Sequence, residues 1–135
     1  MDKDQLTDQA MARTHELPDS GKRQEFDTGS VRDTRDGKGR FDLLPPLAMT
    51  RLAKHFEAGA SKYGARNYER GQPLARFVDS ALRHIFKLLE GRLEEDHAAA
   101  AAWNMMAFME IQGRISGGRL SADLDDMPKR EDEHE

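Results

Sequence analysis

The chain of 135 residues contains no cysteine. That absence removes disulfides, thiolate metal ligands and cysteine nucleophiles together. No apolar run approaches the length of a membrane span, and the opening MDKDQLTDQA lacks the apolar centre of a signal peptide. A cytoplasmic protein with no membrane partner is therefore expected. Phosphate-cradling GxxxxGK[ST] and GxGxxG loops are missing, and so is the HExxH zinc motif. No segment shows the apolar–polar alternation of a strand, so the expected fold class is all-α.

Apolar side chains are also scarce. Hydrophobic residues make up 37% of the chain and charged residues 34%, with a mean hydropathy of −0.83. A chain this short buries a core only if its polar residues are concentrated outside it. The polar excess lies at the ends, so residues 1–24 and the acidic residues 118–135 are expected as flexible arms around a helical domain at 25–117. The net charge of −4 belongs to the tail, because the last thirteen residues carry seven acids against two bases. Between residues 26 and 71 nine Lys/Arg face six Asp/Glu. That excess is too small for a nucleic-acid binder but suits a small phosphate-bearing molecule.

Three helices are readable. Leu44-Pro45-Pro46 opens the first, since Pro is tolerated in a first turn. Met49, Leu52, Ala53, Phe56, Ala60 and Tyr63 then fall within an arc of about 100° on its wheel, and Gly64 is the stop. After the turn-rich ARNYERGQP, the second helix runs from Leu74 to Glu90 and stops at Gly91. Its expected core face is Val78, Ala81, Leu82, Ile85, Leu88 and Leu89. The third starts near residues 94–96, where acids complement the helix dipole, and ends at Ile115 before Gly117-Gly118. Met105, Met106 and Met109 widen its apolar surface past one side, so a homodimer or homotetramer is expected.

The polar residues on these wheels separate into two groups. His97 and Asn104 share a stripe with Ala101, Phe108, Ile111 and Ile115, which places a polar recess at one end of an apolar interface. His84 borders Phe77 and Leu88, and Glu57 borders the core stripe of the first helix. Asp79, Arg83 and Glu90 cluster opposite the apolar arc, where an Asp–Arg pair four residues apart is also ordinary on a solvated face. Acids and imidazoles from several helices are a common way to hold a divalent cation in a bundle. Oxygen-rich ligands without thiolate favour Mg²⁺ or Mn²⁺. Lys38, Arg40, Lys62, Arg66 and Arg83 offer charge to phosphates. Asp96-His97 reverses the His–Asp dipeptide of one class of helical phosphohydrolases, which argues against that class.

The succession TGSVRDTRDGKGRFDLLPP, HFEAGASKYGARNYERGQPL, DSALRHIFKLLEG and EDHAAAAAWN resembles the phage-type dATP/dGTP diphosphohydrolase domain, itself similar to the MazG-like all-α pyrophosphohydrolases. The paired ExxE and ExxD carboxylates of the wider MazG class do not occur in that form: the third helix reads AAWN, and Glu57, Glu90, Glu94, Glu95 and Asp96 are the acids at hand. The resemblance implies a MazG-like helical bundle of three main helices plus an N-terminal loop, completed by oligomerisation. It implies hydrolysis of a deoxypurine nucleoside triphosphate, dGTP or dATP, to monophosphate and pyrophosphate with Mg²⁺ or Mn²⁺, in a phage or prophage setting. On this reading Glu57, Asp79, Glu90 and Asp96 are candidate metal ligands. His84, His97 and Arg83 are candidate catalytic groups. Lys38, Arg40, Lys62 and Arg66 serve the phosphates, and Asn67, Tyr68, Trp103 and Asn104 serve base and sugar. A nucleotide sensor without turnover and a structural helical module are the alternatives.

Overall fold

The computed structural model describes residues 17–129 of the chain. The chain divides after Leu43 into two compact units. The N-terminal unit holds a small antiparallel hairpin, β1 (Arg23–Glu25) and β2 (Val31–Asp33), paired with Arg23 opposite Asp33 and Glu25 opposite Val31. No strand is expected from the sequence, and the reason is physical. Each strand is only three residues long and almost wholly exposed, so there is no buried face to impose alternation. The hairpin closes through local bonds instead. Phe26 donates to the Ser30 carbonyl at 2.9 Å, Gly29 donates back to Phe26 at 2.8 Å, and Gly29 takes the positive φ of 87° that the turn demands. Asp33 is the hub, accepting from Ser20 Oγ and, at 3.1 Å, from Lys38 Nζ. These bonds hold its carboxyl below the usual range.

The second unit carries α1 (Pro46–Tyr63), α2 (Leu74–Leu89) and α3 (His97–Ser116), so the expected all-α class and the three helices hold, with ends within about three residues of expectation. Pro46 starts α1 with its φ preset, and Gly64 at φ 92° ends it by donating to the Ala60 carbonyl at 3.0 Å. Asp96 caps α3 by accepting from Ala99 N–H at 3.1 Å. No residue beside α2 caps it; the Ala75 N–H donates instead to Asp126 Oδ1 at 2.8 Å, fifty-one positions away.

That bond belongs to a larger departure. The segment after α3, expected as a flexible arm, follows the bundle as far as it is described. Leu120 and Met127 pack against the core of Leu74, Phe77, Ala107 and Ile111. Residues 130–135 of the arm, and residues 1–16 of the N-terminal one, lie outside the described residues. The acidic composition hides the contact because a few scattered apolar side chains make it.

The core also rotates α2 relative to expectation. Its buried residues are Leu74, Phe77 and Ala81, one edge of the apolar arc, while Leu82, Ile85, Leu88 and Leu89 stay exposed, Leu89 at 77%. The partner is α3, which buries Ala99, Ala100 and Ala107 and sets Ala107 and Ile111 in one cluster with Leu74 and Phe77. Small residues let the two backbones approach closely, so α2 buries a narrow edge and leaves its broad face bare. Trp103 closes the remaining side, with ring centroids 5.9 Å from Phe56, 5.6 Å from Tyr68 and 6.4 Å from Phe77, tilted edge to face.

Candidate active site

A cavity of about 590 Å³ opens between α1, the Asn67–Arg70 turn, α2 and the start of α3. One wall is aromatic: His55 and Phe56 from α1, Tyr68 from the turn and Trp103 from α3. Another is cationic: Lys62, Arg66, Arg76 and Arg83. The polar end is formed by Asn104, His84 and Glu95. This size and mixture fit a nucleotide-sized ligand with one flat apolar part and one anionic part.

Local structure explains how each side chain arrives there. Arg76, Ser80, Arg83 and His84 repeat at helical spacing along one flank of α2, beside the buried edge. Arg66 reaches the cavity from a left-handed backbone, φ 63° and ψ 18°, the single positive φ outside glycine among the described residues. Such a conformation in an arginine costs about 1–2 kcal/mol, and strain of this kind concentrates at ligand sites. Arg66 pairs with Glu69 at 2.9 Å, and Arg83 pairs with Asp79. Among the described residues Lys62 and Arg76 form no ion pair, which leaves both for an anion.

At the polar end His97 is 2% exposed and Asn104 5%, so the recess read from the α3 stripe is present. Asn104 Nδ2 donates to the Ala100 carbonyl at 2.9 Å, which turns its Oδ1 into the free acceptor. His84 and His97 bring their Nδ1 atoms within 3.0 Å of each other. Glu95 Oε1 lies 3.0 Å from the first and 3.5 Å from the second. Among the described residues this trio is the one set of three His, Asp or Glu side chains whose ligand atoms all lie within 4.8 Å of one another. Burial pushes His84 below the ordinary histidine value, with Glu95 opposing the shift, which favours the uncharged ring. Burial likewise pushes the Tyr68 hydroxyl up, keeping it protonated.

The sequence-level candidates divide accordingly. Lys62, Arg66, Asn67, Tyr68, Arg83, His84, Trp103 and Asn104 line the cavity, and His97 stands behind it against His84. Lys38 and Arg40 belong to the N-terminal unit, where they pair with Asp33 at 3.1 Å and Asp42 at 2.8 Å. The four carboxylates expected as metal ligands do not come together. Glu57 is exposed on α1, Asp79 is held by Arg83, and Glu90 sits at the exposed end of α2, 3.9 Å from Arg92. Asp96 accepts from Arg51 Nε at 2.8 Å and Nη2 at 2.6 Å, contacts that hold its carboxyl down at about 2.

The sequence offers Glu95 only as one of several acids at hand, outside the expected ligand set, and does not single out Arg76 or His55. Glu95 lies in the connector between α2 and α3, where a wheel assigns no face. Arg76 does carry a signal, since it precedes Ser80 and Arg83 by one and two turns on the same flank.

A family model described as dATP/dGTP diphosphohydrolase, N-terminal, matches residues 28–118. No curated protein and no solved structure matches the chain.

Proposed function

The chain belongs to the dATP/dGTP diphosphohydrolase N-terminal family, and on that premise we propose that it hydrolyses deoxypurine nucleoside triphosphates, dGTP or dATP, to the monophosphate and pyrophosphate. The observation that carries the reading is the cavity itself. An aromatic wall and a cationic wall face a polar end where two imidazoles and a carboxylate converge. A purine would lie against Trp103 and Tyr68, since an edge-to-face cluster offers an apolar face at low conformational cost. Asn104 Oδ1 would accept from a donor on base or sugar. Lys62 and Arg76 would take the phosphate oxygens, with Arg66 and Arg83 giving up part of their present pairing to join them.

The family implies a divalent metal, Mg²⁺ or Mn²⁺ by the resemblance, and the residues present fit one. The Nδ1 atoms of His84 and His97 and Oε1 of Glu95 converge, while the buried His97 Nε2 on the far side of the ring has Glu94 Oε1 3.2 Å away. His84, Glu95 and His97 would hold the ion. When bound, such an ion neutralises phosphate charge and lowers the pKa of a coordinated water. The chain's own contribution is orientation. The aromatic wall fixes the base, the arginines fix the phosphates, and His97 is locked by burial in the first turn of α3.

The exposed apolar face of α2 supports a homodimer or homotetramer. Leu82, Ile85, Phe86 and Leu89 repeat at helical spacing along it, and Met105 and Met109 of α3 are bare as well. Light scattering tests this directly: a mass of one chain refutes it. Turnover is tested by incubating the purified chain with each of the eight common ribo- and deoxynucleoside triphosphates and a divalent metal, and separating the products by anion exchange. Deoxypurine monophosphate plus pyrophosphate supports the reading. Intact triphosphates throughout, or release of orthophosphate alone, sink it.

A further inference from the structure

Three donor atoms converge at the polar end of the cavity in a triangle with edges of 3.0, 3.0 and 3.5 Å: His84 Nδ1, His97 Nδ1 and Glu95 Oε1. In the tautomers that leave both Nδ1 atoms bare, two imidazole lone pairs and a carboxylate oxygen face the same space and repel one another. A cation at that point removes the conflict. An ion with ligand distances of about 2.1 Å spans donor pairs about 3.0 Å apart on an octahedral face and about 3.4 Å apart on a tetrahedral one. The observed edges lie across that range.

The donor set also discriminates between ions. Two of three donors are imidazole nitrogens, which suit first-row transition metals, whereas Mg²⁺ demands oxygen ligands and keeps most of its water. The protein has carboxylates to offer an oxygen-seeking ion but uses them elsewhere: Asp96 is bound by Arg51 and Asp79 by Arg83. Behind the triangle, Glu94 Oε1 stands 3.2 Å from His97 Nε2. That is where an outer carboxylate would bind the Nε2–H, leaving Nδ1 as the bare nitrogen. Because His84 and Glu95 also line the cavity, an ion on the triangle is within reach of a ligand there.

We propose that His84, Glu95 and His97 form a facial two-histidine, one-carboxylate site for a first-row transition ion that accepts imidazole beside oxygen, Mn²⁺, Fe²⁺, Co²⁺ or Zn²⁺, and that Mg²⁺ is not its ion. The role of this ion in turnover rests on the hydrolase reading above; its binding does not. The test therefore uses no nucleotide. The full chain, stripped with chelator, is titrated with Co²⁺ while the visible absorption of the ion is followed. One Co²⁺ per chain should bind, Zn²⁺ should displace it, and a hundredfold excess of Mg²⁺ should not.

His84→Ala and Glu95→Gln change residues that are half-buried and exposed, so the variants fold, as circular dichroism would verify. Each should weaken Co²⁺ binding by tenfold or more, with His84→Ala the larger loss. Equal displacement by Mg²⁺, or wild-type Co²⁺ binding in both variants, overturns the assignment. Co²⁺ bound as expected in a chain that turns over no triphosphate would leave the site standing and sink the hydrolase reading. Turnover with Mg²⁺ alone, undiminished in both variants, would do the reverse.

Discussion

Arg51 of α1 holds Asp96 at the head of α3 through two hydrogen bonds of 2.8 and 2.6 Å, bridging forty-five positions of sequence. The same carboxylate caps α3 through Ala99 N–H. A single side chain thus ties α1 to the helix end that carries His97, and it is fully engaged in doing so. This is why Asp96 does not join the metal-type cluster one residue away.

Asp96→Asn keeps a capping oxygen and loses the charge. Since the folded-state value is lowered from 3.8 to about 2, the stabilisation is fully present above 3.8 and disappears as pH falls through about 2. Because the pair is more than a third exposed, the loss at neutral pH should be only about 0.5–1 kcal/mol after allowing for solvent screening. Urea unfolding of both proteins at pH 7 and near pH 2 checks this. A stability gap unchanged between the two pH values would contradict it.

The cavity contains the chain's one tryptophan, Trp103. Its intrinsic fluorescence should therefore change as dGTP or dATP is added, with a saturable dependence on concentration. Trp103→Ala should raise KM for the nucleotide by about tenfold or more, consistent with base–aromatic stacking worth roughly 1–3 kcal/mol. A flat fluorescence titration beside measurable turnover would place the base elsewhere.

Arg66 combines a left-handed backbone with a cationic side chain in the cavity. Arg66→Gly relieves a left-handed backbone at the expense of a cationic side chain. Stability should stay level or rise by up to about 1 kcal/mol, while KM rises severalfold. Thermal unfolding and steady-state kinetics read the two effects separately. A fall in stability of more than about 1 kcal/mol would mean that the Arg66–Glu69 pair outweighs the strain.

Gly71 tests the segment that follows α3. A Cβ there would stand 2.7 Å from Leu124 Cδ1, and the backbone φ is 100°. Gly71→Ala should destabilise the fold by about 1–3 kcal/mol and increase amide exchange at Ala75, whose N–H is bound by Asp126. Unchanged exchange would show that the segment does not depend on this close approach.

Helix positions and chemistry were legible in the sequence to different depths. Pro46, Gly64 and Asp96 act through local backbone physics, so α1 and α3 begin and end where their residues require. The His97–Asn104 stripe was legible because a single wheel decides it. Which edge of α2 is buried was not, since Ala107 and Ile111 on another helix cluster with Leu74 and Phe77. The place of Glu95 beside the two histidines is not legible for a related reason: only the packing of two helices aims a connector residue at both rings. The hairpin and the seating of Leu120 and Met127 rest on a few bonds and contacts that leave no periodicity behind.

The most direct test of the account is a crystal structure of the chain with Mn²⁺ and a non-hydrolysable dGTP analogue, read by anomalous scattering. The anomalous peak is expected between His84, Glu95 and His97, the purine against Trp103, and the phosphates beside Lys62 and Arg76. A nucleotide bound outside this cavity, or a metal peak on other residues with this triangle empty, would contradict it.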